Sequence, residues 1–380
     1  MDLVLTEEQA LLQDTAREFV SGHSSVRRIR ALRDSRDELG FSRDLWREMA
    51  KLGWLGIIFP EEYGGAGLGY AELMVVLEEL GRGLVPEPVL SNVLLAGTAI
   101  AMGGSDSQRQ ALLPPMIGGD LLLALAYQEP ASRYQPHHVE TRATRGASGW
   151  VLNGEKVHVL DGYGADRILV TARTAGAVGD AEGIAIFVVN ADAPGLSIER
   201  EWRIDSRNAA TVRLRDVAVG PDALLGGEGQ GGALLASVID RATVGLCAEM
   251  LGSMSATLQL TLDYLKTRLQ FGVAIGSFQA LKHRAAKMFI ETELARSVVM
   301  AAHKAVDEQT PQVGALASLA KARCSDAFVL IANEGVQMHG GIGMTDEHDI
   351  GFFLKRARVA ELTFGDAAYH RNRFAALHGY

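Results

Sequence analysis

The hydrophobic period of this chain changes twice, and that order limits the folds open to it. Up to about residue 120 apolar side chains recur at helical spacing. Leu11, Leu12 and Phe19 form one stripe behind a Thr6-x-x-Gln9 capping box, and a second amphipathic helix is expected to start at Ser42. From about 121 to 219 the period is two. Short strand-like runs at 151–159, 167–173, 184–189 and 211–217 are separated by Gly, Asp and Pro, with Asn153-Gly154 read as a turn. A glycine-rich stretch at 226–232 follows, and the helical period returns. One long pattern covers 233–266, where Gly245, Ala248 and Gly252 leave room for close helix approach. Further helices are expected from near Ser277 and Pro311, the latter stopped by Gly340-Gly341, with two shorter ones after Asp349. The reading is an α+β chain: an N-terminal helical domain (1–120), a middle antiparallel β-domain (121–225) and a C-terminal four-helix-bundle domain (226–380).

Charge and composition remove several function classes. A net charge of −9 argues against a nucleic-acid partner. The basic cluster Arg27, Arg28, Arg30, Arg33 and Arg36 is interleaved with acids and reads as a solvated helix face. No run of ~18 apolar residues suggests a membrane span. The N-terminus lacks a basic-then-apolar leader, so a cytoplasmic protein is expected. Cys247 and Cys324 are far apart in helical patterns and read as buried small apolar residues. The Asp346-Glu347-His348-Asp349 cluster looks superficially like a metal site but reads as a solvated loop with a helix cap; no metal is expected. The Gly-x-Gly pattern at 65–69 follows no strand, which argues against a dinucleotide loop.

The motifs say more than the order of elements. Arg268-Leu-Gln-Phe271-Gly272, Phe278-Gln279-x-x-x-His283 and Gln337-Met-His-Gly340-Gly341-Ile-Gly343 lie in the C-terminal part. Leu5-Thr-Glu-Glu-Gln9, Pro60-Glu-Glu-Tyr-Gly-Gly65, Glu78-Glu-Leu-Gly-Arg82 and Asn153-Gly-Glu-Lys156 precede them in order. Together these resemble the acyl-CoA dehydrogenase family over essentially the whole chain. The stretch 263–283 and the ending Leu362-Thr-Phe-Gly-Asp366 look most like the small subunit of pimeloyl-CoA dehydrogenase and related heteromeric, steroid-acid enzymes.

The resemblance implies the family's fold, an FAD cofactor, an acyl-CoA substrate and desaturation between C2 and C3, with roles in β-oxidation and in lipid or steroid degradation. It also implies a base within reach of C2, and hydrogen-bond donors for the thioester oxygen in a dry site. Arg268 offers a planar fork for the flavin pyrophosphate, and Gly340 and Gly341 offer close backbone approach. Phe271 can pack near the flavin, while Gln279 and Gln337 can bind its polar parts. In the family these residues serve a flavin bound mainly by the neighbouring subunit. Each also has a plainer reading, as a surface charge, a helix cap or a helix stop. His283 and His339 read as structural polar residues.

Two departures from the family pattern fall on one side of the site. A Thr-Glu-Pro-x-Ala-Gly-Ser run is replaced by Gln128-Glu129-Pro130-Ala-Ser-Arg133-Tyr134, and a Trp-Ile-Thr run is replaced within Val157-His158-Val159-Leu160. The hydroxyls and the Trp that would hold the isoalloxazine are absent, and Leu160 cannot donate a hydrogen bond. The usual catalytic glutamate is replaced by Phe364. Asp240, just before Arg241, is the substitute candidate, shorter than Glu by one methylene; Glu361 and Asp366 are poorer ones. Cofactor residues kept and base lost suggest the non-base subunit of a heteromer. A second dehydrogenase-like subunit (α2β2) would be its partner, and an electron-transfer flavoprotein its acceptor. The alternatives are a self-sufficient homotetramer using Asp240, and a flavin-free scaffold or binding protein.

Overall fold

The computed structural model describes residues 5–380. In chain order its helices are α1 (Glu7–His23), α2 (Val26–Asp34), α3 (Arg43–Lys51), α4 (Tyr70–Arg82), α5 (Thr98–Gly103) and α6 (Asp106–Ile117), then α7 (Gly231–Thr267), α8 (Gln279–Asp307), α9 (Val313–His339), α10 (Ile350–Leu362) and α11 (Ala367–Leu377). Between α6 and α7 lie β1 (Leu123–Ala126), β2 (Arg142–Gly146), β3 (Gly149–Leu160), β4 (Arg167–Arg173), β5 (Ile184–Asn190), β6 (Leu196–Trp202), β7 (Asn208–Val219) and β8 (Leu224–Leu225). The short β9 (Leu269–Gln270) and β10 (Val273–Ala274) pair between α7 and α8. The helix, sheet, helix order follows the two changes of hydrophobic period. The described residues pack as two compact units: residues 5–31, 69–85 and 243–380 form one, and residues 32–68 and 86–242 the other.

The first unit is helical. Thr6 and Gln9 form the reciprocal capping box at the head of α1. Helices α8, α10 and α11 pack on α9, and α1 and α8 pack on α4. Gly81 of α4 faces Glu249, and Gly252 of α7 faces Glu78. A Cβ on Gly252 would sit 1.8 Å from the Glu78 carbonyl oxygen, and one on Gly81 would sit 2.0 Å from the Glu249 carbonyl oxygen. Both are backbone atoms that no rotamer change can move, so Gly252→Ala is expected to destabilise the unit by about 3 kcal/mol or more. Chemical denaturation would measure this; a loss below about 1 kcal/mol would show that the helices can separate freely. The same contact buries Glu78, Glu79 and Glu249 with arginine partners. Arg296 meets Glu78 with two hydrogen bonds, at 2.8 and 3.1 Å, and Arg356 meets Glu249 at 2.9 Å.

Residues 346–349 make a different structure from the expected capped loop. Asp346 and Asp349 both pair with Arg30, and His348 Nδ1 instead accepts the Ile350 N–H at the start of α10. Arg30 of the basic cluster is therefore an ion-pair partner, not only a solvated charge. Cys247 and Cys324 are buried free thiols.

The second unit centres on an eight-stranded sheet in the order β6-β7-β3-β2-β4-β5-β8, with β1 beside β4. Most pairs are antiparallel, but β1–β4 and β2–β4 are parallel, so the sheet is mixed and not purely antiparallel. Asn153-Gly154 is not a turn. β3 runs straight through it, with a register irregularity between Leu152 and Gly154. A Cβ at Gly154 would lie 2.4 Å from Thr141 Oγ1, so the glycine serves close approach. Trp150, Leu152, Val159, Ile168, Val170 and Phe187 are among the side chains of one apolar core. Within the part read as helical, Val89–Gly97 winds as a π-helix followed by α5.

Candidate active site

In the sheet unit, two sequence motifs prove to be one construction. Lys156 at the end of Asn-Gly-Glu-Lys reaches Glu129 of Gln-Glu-Pro at 2.6 Å, with both side chains fully buried. Lys156 also donates to Thr171 Oγ1, and Glu129 accepts from the Glu140 and Thr141 N–H groups. Burial, the largest single influence, would raise the Glu129 carboxyl; the Lys156 charge and the hydrogen bonds from Lys156, Thr141 and Glu140 together outweigh it and hold the carboxyl below its ordinary value. Burial brings Lys156 down to about 8, so the pair is ionised at neutral pH. The Val157 N–H donates to the Gln128 carbonyl, which joins the two runs along their backbones. Sequence reasoning quoted both motifs without pairing them. Opposite charges within two apolar strand patterns were the available signal.

Beyond this pair the sheet departs from its pattern. His158 has φ +53° and lies in a bulge: Lys156 pairs with Val212 and Val159 with Ala210, leaving Val157 and His158 opposite Thr211 alone. Its ring Nδ1–H donates to Glu201 Oε2 at 2.8 Å, and Glu201 Oε1 accepts from the His158 N–H and the Thr211 hydroxyl. Arg133 also has positive φ, and its guanidinium stands over the Tyr134 ring. Asp240 is half-buried on α7, and the neighbouring Arg241 donates to Ser237 at 2.6 Å.

In the helical unit, the six residues assigned to the cofactor are all exposed: Arg268, Phe271, Gln279, Gln337, Gly340 and Gly341. Phe271 is 90% exposed, with φ +53° in the β9–β10 turn, and its ring meets Phe278 edge-on. No hydrogen bond or ion pair from another described residue reaches the Arg268 guanidinium or the Gln279 and Gln337 amides. Gly340 ends α9 with φ +64°, and nothing lies within 4 Å of a Cβ built on Gly340 or Gly341. An uncommitted guanidinium, two free amides and open backbone at a helix end suit a phosphate-bearing dinucleotide. His339 is buried against Tyr264 and His348, with Nδ1 on the Gly335 carbonyl, as a structural histidine. His283 is exposed at the start of α8.

Phe364 lies in the same unit, only 6% exposed, in a turn with φ +62° followed by Gly365 at φ +117°. A Cβ at Gly365 would lie 2.4 Å from the Tyr369 ring. Fully buried Lys321 donates to the carbonyls of Glu361 and Gly365 and to Ser325 Oγ, which caps the end of α10. His370 Nε2–H donates to the Phe364 carbonyl, and Asp366 caps α11 through the Tyr369 N–H. Glu361 pairs with Arg358 at 2.9 Å, so neither weaker base candidate is a free carboxylate. Lys321 and His370 were missed in the sequence because their partners are backbone carbonyls.

Two buried histidines make the helical unit acid-sensitive. Burial pushes His303 down to about 4 and His370 down to about 3. Between those values and 6.5 the unfolded chain binds protons that the native chain does not. Their stability contribution is present above 6.5 and is lost as the pH falls toward 4. The fully buried His303 alone accounts for roughly 3 kcal/mol. Denaturation midpoints from pH 7 to 4 should fall steeply, and His303→Gln should flatten the curve; an unchanged slope would count against this assignment.

The family comparisons match this arrangement along the whole chain. The acyl-CoA dehydrogenase N-terminal, middle and C-terminal domains match residues 6–120, 124–217 and 229–377. The chain belongs to the acyl-CoA dehydrogenase family. Mitochondrial isovaleryl-CoA dehydrogenase of Pongo abelii is 32% identical over 97% of this chain and 88% of its own length. The solved Tcur3481-Tcur3483 steroid ACAD is 33% identical, with a TM-score of 0.87 and 98% of both chains covered. The ChsE4-ChsE5 complex from Mycobacterium tuberculosis is 28% identical, with a TM-score of 0.89 over 100% of both chains. As an acyl-CoA dehydrogenase family member, the chain is an FAD-dependent oxidoreductase of CoA thioesters. Arg268, Gln279, Gln337, Gly340 and Gly341 have the chemistry that would hold the dinucleotide. No helix among the described residues is long and apolar enough to cross a membrane.

Proposed function

We propose that this chain is the non-base subunit of a heteromeric acyl-CoA dehydrogenase. It completes the flavin site of a second, dehydrogenase-like subunit that supplies the base, in an α2β2 assembly working in the cytoplasm. The enzyme forms a C2=C3 double bond in a CoA thioester and passes electrons to an electron-transfer flavoprotein. The carrying observation is the contrast within the helical unit. Arg268, Gln279, Gln337 and the Gly340-Gly341 backbone are exposed and uncommitted, while an apolar, buried Phe364 holds the place of the base. Two relatives are described as two-component assemblies, one of them a steroid enzyme, which supports a heteromer and a steroid-derived acyl group; a dicarboxylic chain is the alternative that the sequence resemblance offers.

Flavin content decides between this reading and a self-sufficient homotetramer. The chain purified alone should be colourless. Co-expressed with its partner, the complex should carry about one flavin per two unlike chains. One flavin per chain in the lone protein, with turnover abolished by Asp240→Asn, would overturn the proposal and make Asp240 the base.

A further inference from the structure

We propose that the open face of this chain's β-sheet is closed to a flavin ring, and that His158, Glu201 and Leu160 close it. This rests on the supporting-subunit reading and adds its cause.

Strand alternation places these side chains on one face. Val212 and Val159 point into the core, so Thr211 and Leu160 point away from it, as does Glu201, three residues after the inward-leaning Ile198. His158 lies above this face, its side chain 69% exposed. A flavin ring needs a flat apolar surface under it and donors along its polar edge. This face supplies neither. The bulge lifts the His158 backbone into the left-handed region, and the Glu201 carboxylate fixes the imidazole plane through Nδ1–H. Glu201 is anchored by three donors, namely the His158 N–H, the His158 ring and the Thr211 hydroxyl, so it cannot swing away. A ring laid here would strip water from that carboxylate, and its polar edge would meet Leu160, which has no donor. The carboxylate–imidazole pair also places negative charge against a ring that becomes more electron-rich on reduction.

The test is an FAD titration of the full chain alone, followed by quenching of flavin fluorescence. His158→Trp with Leu160→Thr restores a flat indole and a hydroxyl, and should bind FAD at least about tenfold more tightly than the natural chain. Glu201→Gln keeps the shape and removes the charge; it should also tighten binding, and it guards against misfolding of the double variant. Circular dichroism would confirm that each variant is folded. Equal affinity in the natural chain and the folded variants overturns the proposal. If that equal affinity is tight, the supporting-subunit reading fails too. If it is weak, that reading stands and only this cause is wrong.

Discussion

Replacing Glu129 by alanine is expected to cost the sheet unit about 3–5 kcal/mol, because it leaves the Lys156 ammonium buried without its counter-charge. The magnitude follows from burial. Neither side chain reaches water, and among the described residues the 2.6 Å contact with Glu129 is the charge neutralisation of Lys156. Lys156 can shed part of the loss by releasing its proton, so the variant's deficit should shrink as the pH rises. The natural pair has a lowered Lys156 value of about 8, and losing the carboxylate lowers it further. The double replacement Glu129→Leu with Lys156→Met should recover much of the loss, since apolar groups of similar volume need no pairing. Urea unfolding of the single and double variants measures both effects. A Glu129→Ala loss below about 1 kcal/mol would mean that water enters the site.

Arg268→Met is expected to empty the flavin site of the complex while leaving the fold unchanged. The guanidinium is exposed, and its removal breaks no hydrogen bond or ion pair among the described residues. If it forks onto a pyrophosphate, the lost charge-assisted hydrogen bonds amount to about 2–3 kcal/mol, a roughly 30- to 160-fold weaker FAD affinity. Visible absorbance per complex and the melting temperature of the lone chain separate the two readouts. A yellow complex at full occupancy would remove Arg268 from the cofactor set. A lowered melting temperature in the lone chain would make it structural instead.

The motif residues differ in how far sequence could take them. Arg268, Gln279 and Gly340-Gly341 could be proposed from sequence because their chemistry is local: a fork, an amide and a backbone without Cβ act from where they stand. Thr6-Gln9 and Ser42 were legible for the same reason, since a cap bonds three residues along its own helix. Glu129 and Lys156 could be named but not joined, because the strands that bring them together are set by sheet pairing. His158 looked like a missing Trp. Only the bulge opposite Thr211 and the partner on β6 show it as a held imidazole. Asn153-Gly154 misled because a dipeptide suited to a hairpin also suits a bulge, and the choice depends on the strand beside it.

By itself, the sequence determined the helix–sheet–helix order and the family, and it proposed residues to meet a dinucleotide, because periodicity and short motifs act over a few residues. The tertiary structure alone decided three further points: the buried ion pair, the Lys321 and His370 clamp on the Phe364 turn, and the carboxylate behind His158. Lys156 and Glu129 lie 27 residues apart, Lys321 and Gly365 44, and His158 and Glu201 43. Burial then makes the interaction strong, since a charge or carbonyl removed from water must find its partner within the fold.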